Sequence, residues 1–369
     1  MKRANQYNPI LKKTTHIFCA IIGVTFFISG FTKAVDPWGT AIKFEEYFSV
    51  YGFDFLTPLS RVLAVWLCGA EMMMGCMIFC RVRLRLISIF ALISMTIFTI
   101  VTILSINYLP VDDCGCFGDA FHLTPWQTLI KNLIILPMVI TIWWRYRPDK
   151  ILVYKPREVI LATIFCIVTM GFSTYNFLHL PLIDFLPYKV GVDLLSEVES
   201  TTADLQYSVV LIYRNIASGE LREFTIDDTA WQDSEQWEWV ETKTRVAERG
   251  ILHTVADFSL SSFNGDVATI DILSQAGRLN IVSIADLSKL KPRCQARVEK
   301  YIGQAEALGI RTIIATPNEF SSKYVKIGDS IVECFHIDKS VSNSMMRASV
   351  GVVELSDAII TSKRSCIDL

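Results

Sequence analysis

The stretch KKTTHIFCAIIGVTFFISGFTKAVDPW, residues 12–38, indicates the fold class of the first half of the chain. Two lysines precede a long apolar run, as they would in a secretory signal peptide. The run is longer than the apolar core of a cleaved signal, and no small-residue cleavage site follows it. A helix needs about 20 mostly apolar residues to cross a bilayer. We therefore expect residues 14–35 to form a retained transmembrane helix.

Four more apolar stretches have the length of a spanning helix. The chain has 369 residues, 51% of them hydrophobic, and its mean hydropathy of +0.38 is too apolar for a soluble protein of this length. From His179 onward the composition is that of an ordinary globular domain. The net charge of -2 gives no indication of a nucleic-acid partner. The five predicted spans are residues 14–35, 59–80, 84–106, 126–144 and 159–177.

The loops between these spans alternate in their content of lysine and arginine. Basic residues cluster before the first span, between the second and third, and between the fourth and fifth, whereas residues 107–125 contain none. Cytoplasmic loops are enriched in Lys and Arg, so the alternation predicts a cytoplasmic N-terminus. Five crossings then place the C-terminal half outside. We expect a multi-pass protein of a bacterial inner (cytoplasmic) membrane with its C-terminal domain in the periplasm, where disulfides form and persist.

The loop VDDCGCFGDAFHLTPWQ, residues 111–127, joins the third and fourth spans and holds the residues that most suggest chemistry. Cys114 and Cys116 would close a small, strained disulfide ring, and strained disulfides tend to be labile or catalytic. The two preceding aspartates argue against a fast nucleophile, because negative charge disfavours a thiolate. Three interpretations remain open: thiol–disulfide chemistry, a structural disulfide, and a metal site formed by Cys114, Cys116 and His122.

Three charged residues are candidates for supporting roles at this loop. Glu71 lies well inside the second span, where a carboxylate is costly and by default suggests function. Lys33, near the end of the first span, is the partner that we consider for it; the alternative is a protonated Glu71 hydrogen-bonded within the bundle. Asp119 belongs to the cysteine loop itself. Residues 41–48 predict a short amphipathic helix on the same side, so this segment, with Lys33 and Asp36, either completes the site or is a plain surface helix.

The second half of the chain has the pattern of an α/β domain. Its elements follow the order β-α-β-(α)-β-β after a leading DFSLSSFNGD segment, which is the order of a thioredoxin-like domain. A charged stretch before these elements, residues 234–249, predicts a helix. The predicted strands are residues 205–215, 222–226, 279–285, 310–316 and 332–338, with a helix over residues 297–308. A final hairpin is predicted over residues 350–363, with its turn at Ser356-Asp357.

The residues that make a thioredoxin domain an oxidoreductase are missing. A Cys-x-x-Cys pair is needed where the first central strand meets the next helix, because the helix N-terminus activates the first thiol. That region reads ADLSKLKPRCQARV and contains only Cys294. The proline expected before the final hairpin is replaced by Ser349-Val350-Gly351. We therefore interpret the domain as a binding or docking module.

Three segments together resemble a known family. SGFTKAVDPWGTAIKFEEYF (residues 29–48), the second span with Glu71, and DCGCFGDAFHLTPWQTLIKN (residues 113–132) are similar to the DoxX-like membrane proteins of the MauE group. The most similar form is that of Bacteroides-type bacteria, in which a degenerate thioredoxin-like domain follows the helices. The resemblance implies a four-helix membrane core, here with a fifth helix. The group is associated with maturation of a disulfide-rich periplasmic dehydrogenase subunit, which implicates Cys114 and Cys116 in disulfide formation.

We accordingly divide the chain into five parts. They are a cytoplasmic N-terminus (1–13), a four-helix DoxX/MauE-like membrane domain (14–147), a fifth transmembrane helix (156–178), a linker with a small α+β segment (179–250) and a degenerate thioredoxin-like periplasmic domain (251–369).

Our functional hypothesis is a membrane component of periplasmic thiol–disulfide exchange, or of disulfide-dependent protein maturation, acting through Cys114 and Cys116. Its partners would be a periplasmic substrate protein or redox partner and the lipid bilayer. If it is an enzyme, it is a thiol–disulfide oxidoreductase, and quinone is the cofactor that we consider as electron acceptor. The alternatives are a non-catalytic membrane assembly factor with a structural disulfide, and a membrane metal-handling protein.

Overall fold

Five long helices form the membrane part of the protein. The structure is a computed structural model that describes residues 9–108, 115–146, 156–204, 208–216, 221–225, 236–245, 257–320 and 322–369. Within these residues five helices are long and apolar enough to cross a membrane, which confirms the five spans expected from hydropathy. In chain order the helices are α1 (Pro9–Val35), the shorter α2 (Pro37–Val50), α3 (Ser60–Phe79), α4 (Leu84–Tyr108), α5 (Pro125–Tyr146) and α6 (Pro156–Leu178).

Glycines let α1 and α3 pack backbone to backbone. A Cβ atom on Gly30 would overlap the backbone of Met72, and one on Gly75 would overlap that of Phe27. Helices in lipid gain little from hydrophobic burial, so small residues that permit close van der Waals contact decide where they meet. Gly30 thus fixes the register of α1 on α3. Lys33, about one turn further along α1, therefore lies beside Glu71.

A sharp corner separates α1 from α2. Asp36 caps α2, because its Oδ1 accepts a hydrogen bond from the backbone N–H of Gly39 at 3.1 Å. The helix expected over residues 41–48 is confirmed, with longer bounds. Trp38 stacks on Phe177 of α6 with ring centroids 5.1 Å apart, and its indole N–H donates to the Phe177 carbonyl at 3.1 Å. The last turn of α6 thus supports the corner.

The fifth spanning helix, α6, packs against the α1–α3 pair. Asn176 donates a hydrogen bond to the Ala34 carbonyl at 3.1 Å, and Ser173 donates to the Val65 carbonyl at 2.9 Å. Both side chains are fully buried. Interhelical hydrogen bonds from buried polar side chains are a common means of holding helices together in lipid. The expected four-helix core is thus extended by a fifth helix that contacts it directly.

The residues after α6 form an α/β region with two sheets. The helices are α7 (Leu194–Asp204), α8 (Thr269–Leu273), α9 (Pro292–Ala307) and α10 (Lys339–Met345). The strands are β1 (Ser208–Asn215), β2 (Leu221–Thr225), β3 (Trp237–Arg245), β4 (Leu260–Ser261), β5 (Arg278–Ile284), β6 (Arg311–Thr316), β7 (Tyr324–Ile327), β8 (Ser330–Ile337), β9 (Val350–Ser356) and β10 (Ile359–Ser365). The expected α/β class is confirmed for this region.

The two sheets differ in strand direction. The small one is antiparallel in the order β2–β1–β3, and the large one has the order β10–β9–β5–β6–β8–β4, with β7 paired to β8. Strands β5, β6 and β8 run parallel, while β9 is antiparallel to β5 and closes a hairpin with β10. The predicted hairpin is confirmed, with its turn one residue later than expected, at Asp357 and Ala358, which both have positive φ.

The helix predicted over residues 234–249 is wrong. Trp237–Arg245 form β3, which pairs with β1. The charged residues of QWEWVETKTR favour a helix by propensity, but they alternate with tryptophan, valine and threonine, which suit a strand. The Trp237 ring packs edge-on against Phe224 with centroids 4.8 Å apart. Aromatic packing across the sheet therefore outweighs local helix propensity here.

A disulfide fastens the C-terminus of the chain to α9. Cys294, in the first turn of α9, is bonded to Cys366, 72 residues later. Cys294, which has no Cys-x-x-Cys partner in the sequence, is therefore not a free thiol; disulfide connectivity cannot be deduced from cysteine spacing alone. Arg297 adds hydrogen bonds to the carbonyls of Cys366 and Ile367, at 3.0 and 2.5 Å.

Replacing Gly30 by alanine tests whether the α1–α3 contact organises the bundle. The added Cβ would overlap the Met72 backbone, so the helices must separate, and we expect a loss of about 1–3 kcal/mol in stability. The control is Gly171→Ala in α6, where a Cβ meets no atom within 4 Å and alanine favours the helix by up to about 1 kcal/mol. The measurement is the melting temperature in detergent micelles. Equal melting temperatures for the two variants would show that the close approach is not needed.

Candidate functional site

A buried ion pair joins α1 to α3. Lys33 Nζ lies 2.6 Å from Glu71 Oε2, and both side chains are only 5% exposed. The ammonium also faces the ring of Phe98 in α4, 5.4 Å from its centroid. A single ion is costly in hydrocarbon, so each charge stabilises the other where neither would be stable alone. The structure thus places beside Glu71 the partner that the sequence suggested.

Ser29 connects this ion pair to the cysteine loop. Its Oγ lies 2.6 Å from Glu71 Oε1 and 2.5 Å from the carbonyl oxygen of Cys116. A hydroxyl carries one hydrogen and can donate to only one of two acceptors at a time. The Ser29 hydroxyl therefore links the Glu71 carboxylate to the backbone of the cysteine loop. The position of its one hydrogen decides whether Glu71 or the Cys116 carbonyl accepts the hydrogen bond.

The cysteine loop lies directly on the end of α1. Gly115 and Gly118 have positive φ values of 62° and 57°, and the Gly118 N–H donates to the Gly115 carbonyl at 3.2 Å, closing a turn around Cys116. A Cβ on Gly118 would lie 3.6 Å from the Cα of Lys33. Cys116 is half-buried, and its thiol lies close enough to Lys33 for the two side chains to interact electrostatically. The two glycines of CGCFGD thus let the loop turn tightly beside the ion pair.

A capping box joins the loop to α5. The Thr124 hydroxyl accepts a hydrogen bond from the N–H of Gln127 at 3.3 Å, and the Thr124 N–H donates to Gln127 Oε1 at 3.0 Å. Thr124 as N-cap and Pro125 at the first helical position are a sequence pattern typical of a helix start, and α5 begins at Pro125. In the second turn of α5, Lys131 Nζ lies 4.9 Å from the centroid of the Phe117 ring. The loop is therefore fixed at its α5 end as well as at α1.

An arginine of the α/β region reaches the same place. Arg347 follows α10, and its side chain is 7% exposed. Its Nε lies 2.8 Å from Asp36 Oδ2, and its Nη2 forms an ion pair with Asp119 Oδ2. Gly39 leaves the necessary space, since a Cβ there would lie 2.7 Å from Asp119 Oδ2. This cluster, which we call the corner cluster (Asp36, Asp119 and Arg347), connects the α1–α2 corner, the cysteine loop and the α/β region.

The charges of the corner cluster influence one another. Burial raises the pKa of Asp36 to about 6; the positive charge of Arg347 opposes this shift, and the Asp119 carboxylate adds to it. Burial alone would lower the pKa of Arg347, but Asp36 and Asp119 together raise it. With two carboxylates and one guanidinium, the cluster depends on Arg347 to hold the two acidic side chains close to each other.

The structure brings together most of the residues selected from the sequence. Those found in one contiguous region are Lys33, Glu71, Cys116 and Asp119. Cys114 lies outside the described residues, so its pairing with Cys116 and the metal set of Cys114, Cys116 and His122 stay predictions. The His122 side chain is exposed. Across the described part of the chain, no group of three His, Cys, Asp or Glu side chains is placed to hold a metal ion.

Two residues of the site escaped the sequence analysis. Ser29 carries no special signal, because hydroxyl residues in apolar helices commonly bond their own helix, as Thr32 does to the Ile28 carbonyl at 3.0 Å. Arg347 lies 228 positions from Asp119, and no local pattern links them. A signal existed, however: Arg347 is the single charged residue in MMRASVGVV, residues 345–353, and an arginine in such a run needs a buried partner.

The arrangement suits thiol chemistry. A sulfur that leaves during disulfide exchange carries negative charge, which a nearby ammonium stabilises. The contacts of Ser29 with Glu71 and with the Cys116 carbonyl hold the loop backbone beside the ion pair. The same contacts also fix a loop mechanically, so geometry alone is compatible with a structural role.

A double-mutant cycle tests the energetic role of the buried pair. Lys33→Met or Glu71→Leu alone leaves an unpaired ion in the bundle, and we expect a loss of about 3–5 kcal/mol for each. The double variant removes both charges and should recover most of that loss. The control cycle uses Lys43→Met and Glu46→Leu at a pair that is 33% and 41% exposed, where coupling should be at most about 1 kcal/mol. Additive losses at Lys33 and Glu71 in micelle melting experiments would contradict the expectation.

Two family models match parts of the chain. Residues 207–249 match a domain of unknown function (DUF8463), a range that includes the strands of the small sheet. Comparison with curated proteins and with solved structures found no match. Residues 11–145 match the family described as Methylamine utilisation protein MauE. This range includes α3, α4 and nearly all of α1 and α5, together with the cysteine loop and three of the four residues Lys33, Glu71, Asp119 and Arg347. Over residues 11–145 the chain is thus similar to MauE, a multi-pass membrane protein family, as its sequence motifs indicated.

Proposed function

We propose that this protein is a membrane component of thiol–disulfide exchange at the periplasmic side of a bacterial inner membrane, acting through Cys114 and Cys116. The observation that carries the proposal is the contact of the Cys116 backbone, through Ser29, with the buried Lys33–Glu71 pair. An ion pair inside a membrane is costly and by default suggests function. The loop that carries the cysteines is therefore attached to the charged pair of the membrane domain that most suggests function.

In the proposed reaction a thiolate of a partner protein attacks one sulfur of a Cys114–Cys116 disulfide. A bond forms between the partner and that cysteine, the bond within the loop breaks, and the other loop sulfur leaves with the electron pair. A second partner thiol then displaces the loop, so the partner is oxidised by two electrons and the loop becomes two thiols. Lys33 stabilises negative charge at Cys116, and the protons released by the two partner thiols are taken up by the two loop thiols. Reoxidation of the loop would need an oxidant; a membrane quinone would accept the two electrons and two protons.

The α/β region supports this proposal as a recruiting module. The parallel unit β5–α9–β6, with β9 antiparallel beside β5, fits a thioredoxin-like sheet. At the start of α9, where such a domain carries its redox dithiol, the sequence is Lys291-Pro292-Arg293-Cys294, and Cys294 is already bonded to Cys366. We therefore assign partner binding, rather than electron transfer, to this region.

Two features support the proposed orientation. The basic loops favour a cytoplasmic N-terminus, and if all five apolar helices cross the membrane, the C-terminal side lies opposite to it. The Cys294–Cys366 disulfide fits an oxidising compartment for the C-terminal side.

A non-catalytic assembly factor is the rival function. The observation that favours it is the number of fixed contacts on the loop: its backbone bonds to Ser29, its Asp119 pairs with Arg347, and its end is capped at Thr124. A loop held at so many points can serve as a rigid docking surface, in which a disulfide between the two cysteines has only a structural role.

Trapping of mixed disulfides separates the two functions. Cells are acidified and alkylated, and the protein is purified from strains carrying Cys114→Ser, Cys116→Ser or, as a control, Cys166→Ser in α6. If the loop exchanges with a partner, one of the two loop variants should accumulate a reducible adduct with another protein, because the remaining cysteine cannot be resolved. The control should show none. A loop that stays fully oxidised, in cells where the double Cys114→Ser/Cys116→Ser variant functions normally, would rule out the exchange function.

Labelling of intact cells tests the orientation. A membrane-impermeant maleimide should modify Cys294, which is partly exposed, only after reduction and without lysis of the inner membrane. Cys80 is exposed and directly follows the last residue of α3. In the proposed orientation this end of α3 faces the cytoplasm, so Cys80 should be modified only after lysis. Cys334 is the internal control for unfolding, because burial raises the pKa of its thiol to about 12 and keeps it unreactive. Modification of Cys80 before lysis, with Cys294 protected, would reverse the orientation.

A further inference from the structure

The α/β region contributes a side chain to the site in the membrane domain. Arg347 is buried, and its guanidinium bridges carboxylates from two separate segments, Asp36 at the α1–α2 corner and Asp119 in the cysteine loop. Both segments also contact the end of α1 that carries Lys33. A movement of the α/β region would therefore move Arg347 and change the contacts that hold the cysteine loop at the corner.

Removal of Arg347 would leave two acidic side chains facing each other. Asp36 and Asp119 interact unfavourably as like charges, and Arg347 is the cation that offsets this repulsion. The space between them is narrow, since a single Cβ on Gly39 would lie 2.7 Å from Asp119 and 3.2 Å from Asp36. Without the guanidinium we expect the loop to move away from the corner rather than keep this spacing.

The α/β region has a second attachment that does not involve the loop. His179 Nδ1 lies 2.6 Å from Asp368 Oδ1, just beyond α6. Lys363 pairs with Asp184 at 2.6 Å and donates to the Tyr188 carbonyl at 2.9 Å. These contacts tether the region to the segment after α6, so loss of the Arg347 contact would not detach it.

We propose that Arg347 is a positioning residue of the cysteine site: by holding Asp119 against Asp36, docking of the α/β region fixes the loop and limits access to Cys116. On the proposed thiol-exchange function, a partner protein that displaces this docking would expose the loop to its own thiols. The proposal assigns the α/β region a direct role at the site, beyond recruitment of the partner.

The test measures the reactivity of Cys116 in the full-length protein in membrane vesicles. A Cys114→Ser background prevents a disulfide within the loop, and mass spectrometry of the Cys116 peptide follows its alkylation by maleimide. We expect Arg347→Ala to raise the alkylation rate about ten-fold or more, the size of a typical coupling between sites. Arg347→Lys keeps the positive charge but loses the planar guanidinium that contacts both carboxylates, so it should raise the alkylation rate less than Arg347→Ala does. Arg278→Ala, at an exposed arginine in β5, is the matched control and should leave the rate unchanged.

Folding of each variant is checked by its melting temperature and by retention of the Cys294–Cys366 disulfide. A folded Arg347→Ala variant with the parental alkylation rate would overturn the proposal. If that variant does not fold, Arg347→Lys and Asp119→Asn decide in the same way, since each weakens the bridge while preserving most of the packing. Faster alkylation without any trapped mixed disulfide would support the role of Arg347 and remove the exchange function. A parental alkylation rate together with a trapped mixed disulfide would remove only the role of Arg347.

Discussion

An ammonium and a carboxylate in the hydrocarbon part of a bundle are stable only when they meet, and Lys33 and Glu71 meet at 2.6 Å. That requirement constrains the helices that carry them. Gly30 and Gly75 allow α1 and α3 to approach closely enough, and one turn beyond Gly30 the pair forms. The helix packing and the ion pair therefore favour the same register, because the close approach at Gly30 and Gly75 brings the two charges together.

Two sets of contacts hold the loop that carries Cys116 beside this ion pair. Ser29 lies on α1, about one turn before Lys33, and joins Glu71 to the Cys116 carbonyl. Beyond the end of the helix, the corner cluster places a second set of charges around the same loop, with Arg347 between two carboxylates. A neutral pair inside the bundle is thus followed, at the end of α1, by a buried cluster of two carboxylates and one guanidinium, which carries a net negative charge unless Asp36 takes up a proton.

Sequence reasoning predicted what is encoded locally. The five spans, the capped start of α5 and the candidates Glu71, Lys33 and Asp119 follow from hydropathy, cap residues and the cost of an ion in lipid. The strand at residues 237–245 was missed because its charged residues favour a helix locally, while its stability comes from pairing with β1. Ser29, Arg347 and the Cys294–Cys366 bond depend on contacts between distant positions, which no periodicity in one sequence records.

The charges around Cys116 also change the assessment of its chemistry. In the sequence, the two aspartates before Cys114 argue against a reactive thiol, and both lie outside the described residues. In the structure, the Asp119 carboxylate pairs with Arg347, and Lys33 is a cation that interacts with the Cys116 thiol. Asp119 therefore holds the loop in place, and its charge is balanced by Arg347. A loop fixed by a displaceable ion pair can be both rigid when docked and reactive when released, which reconciles its many contacts with the proposed role in exchange.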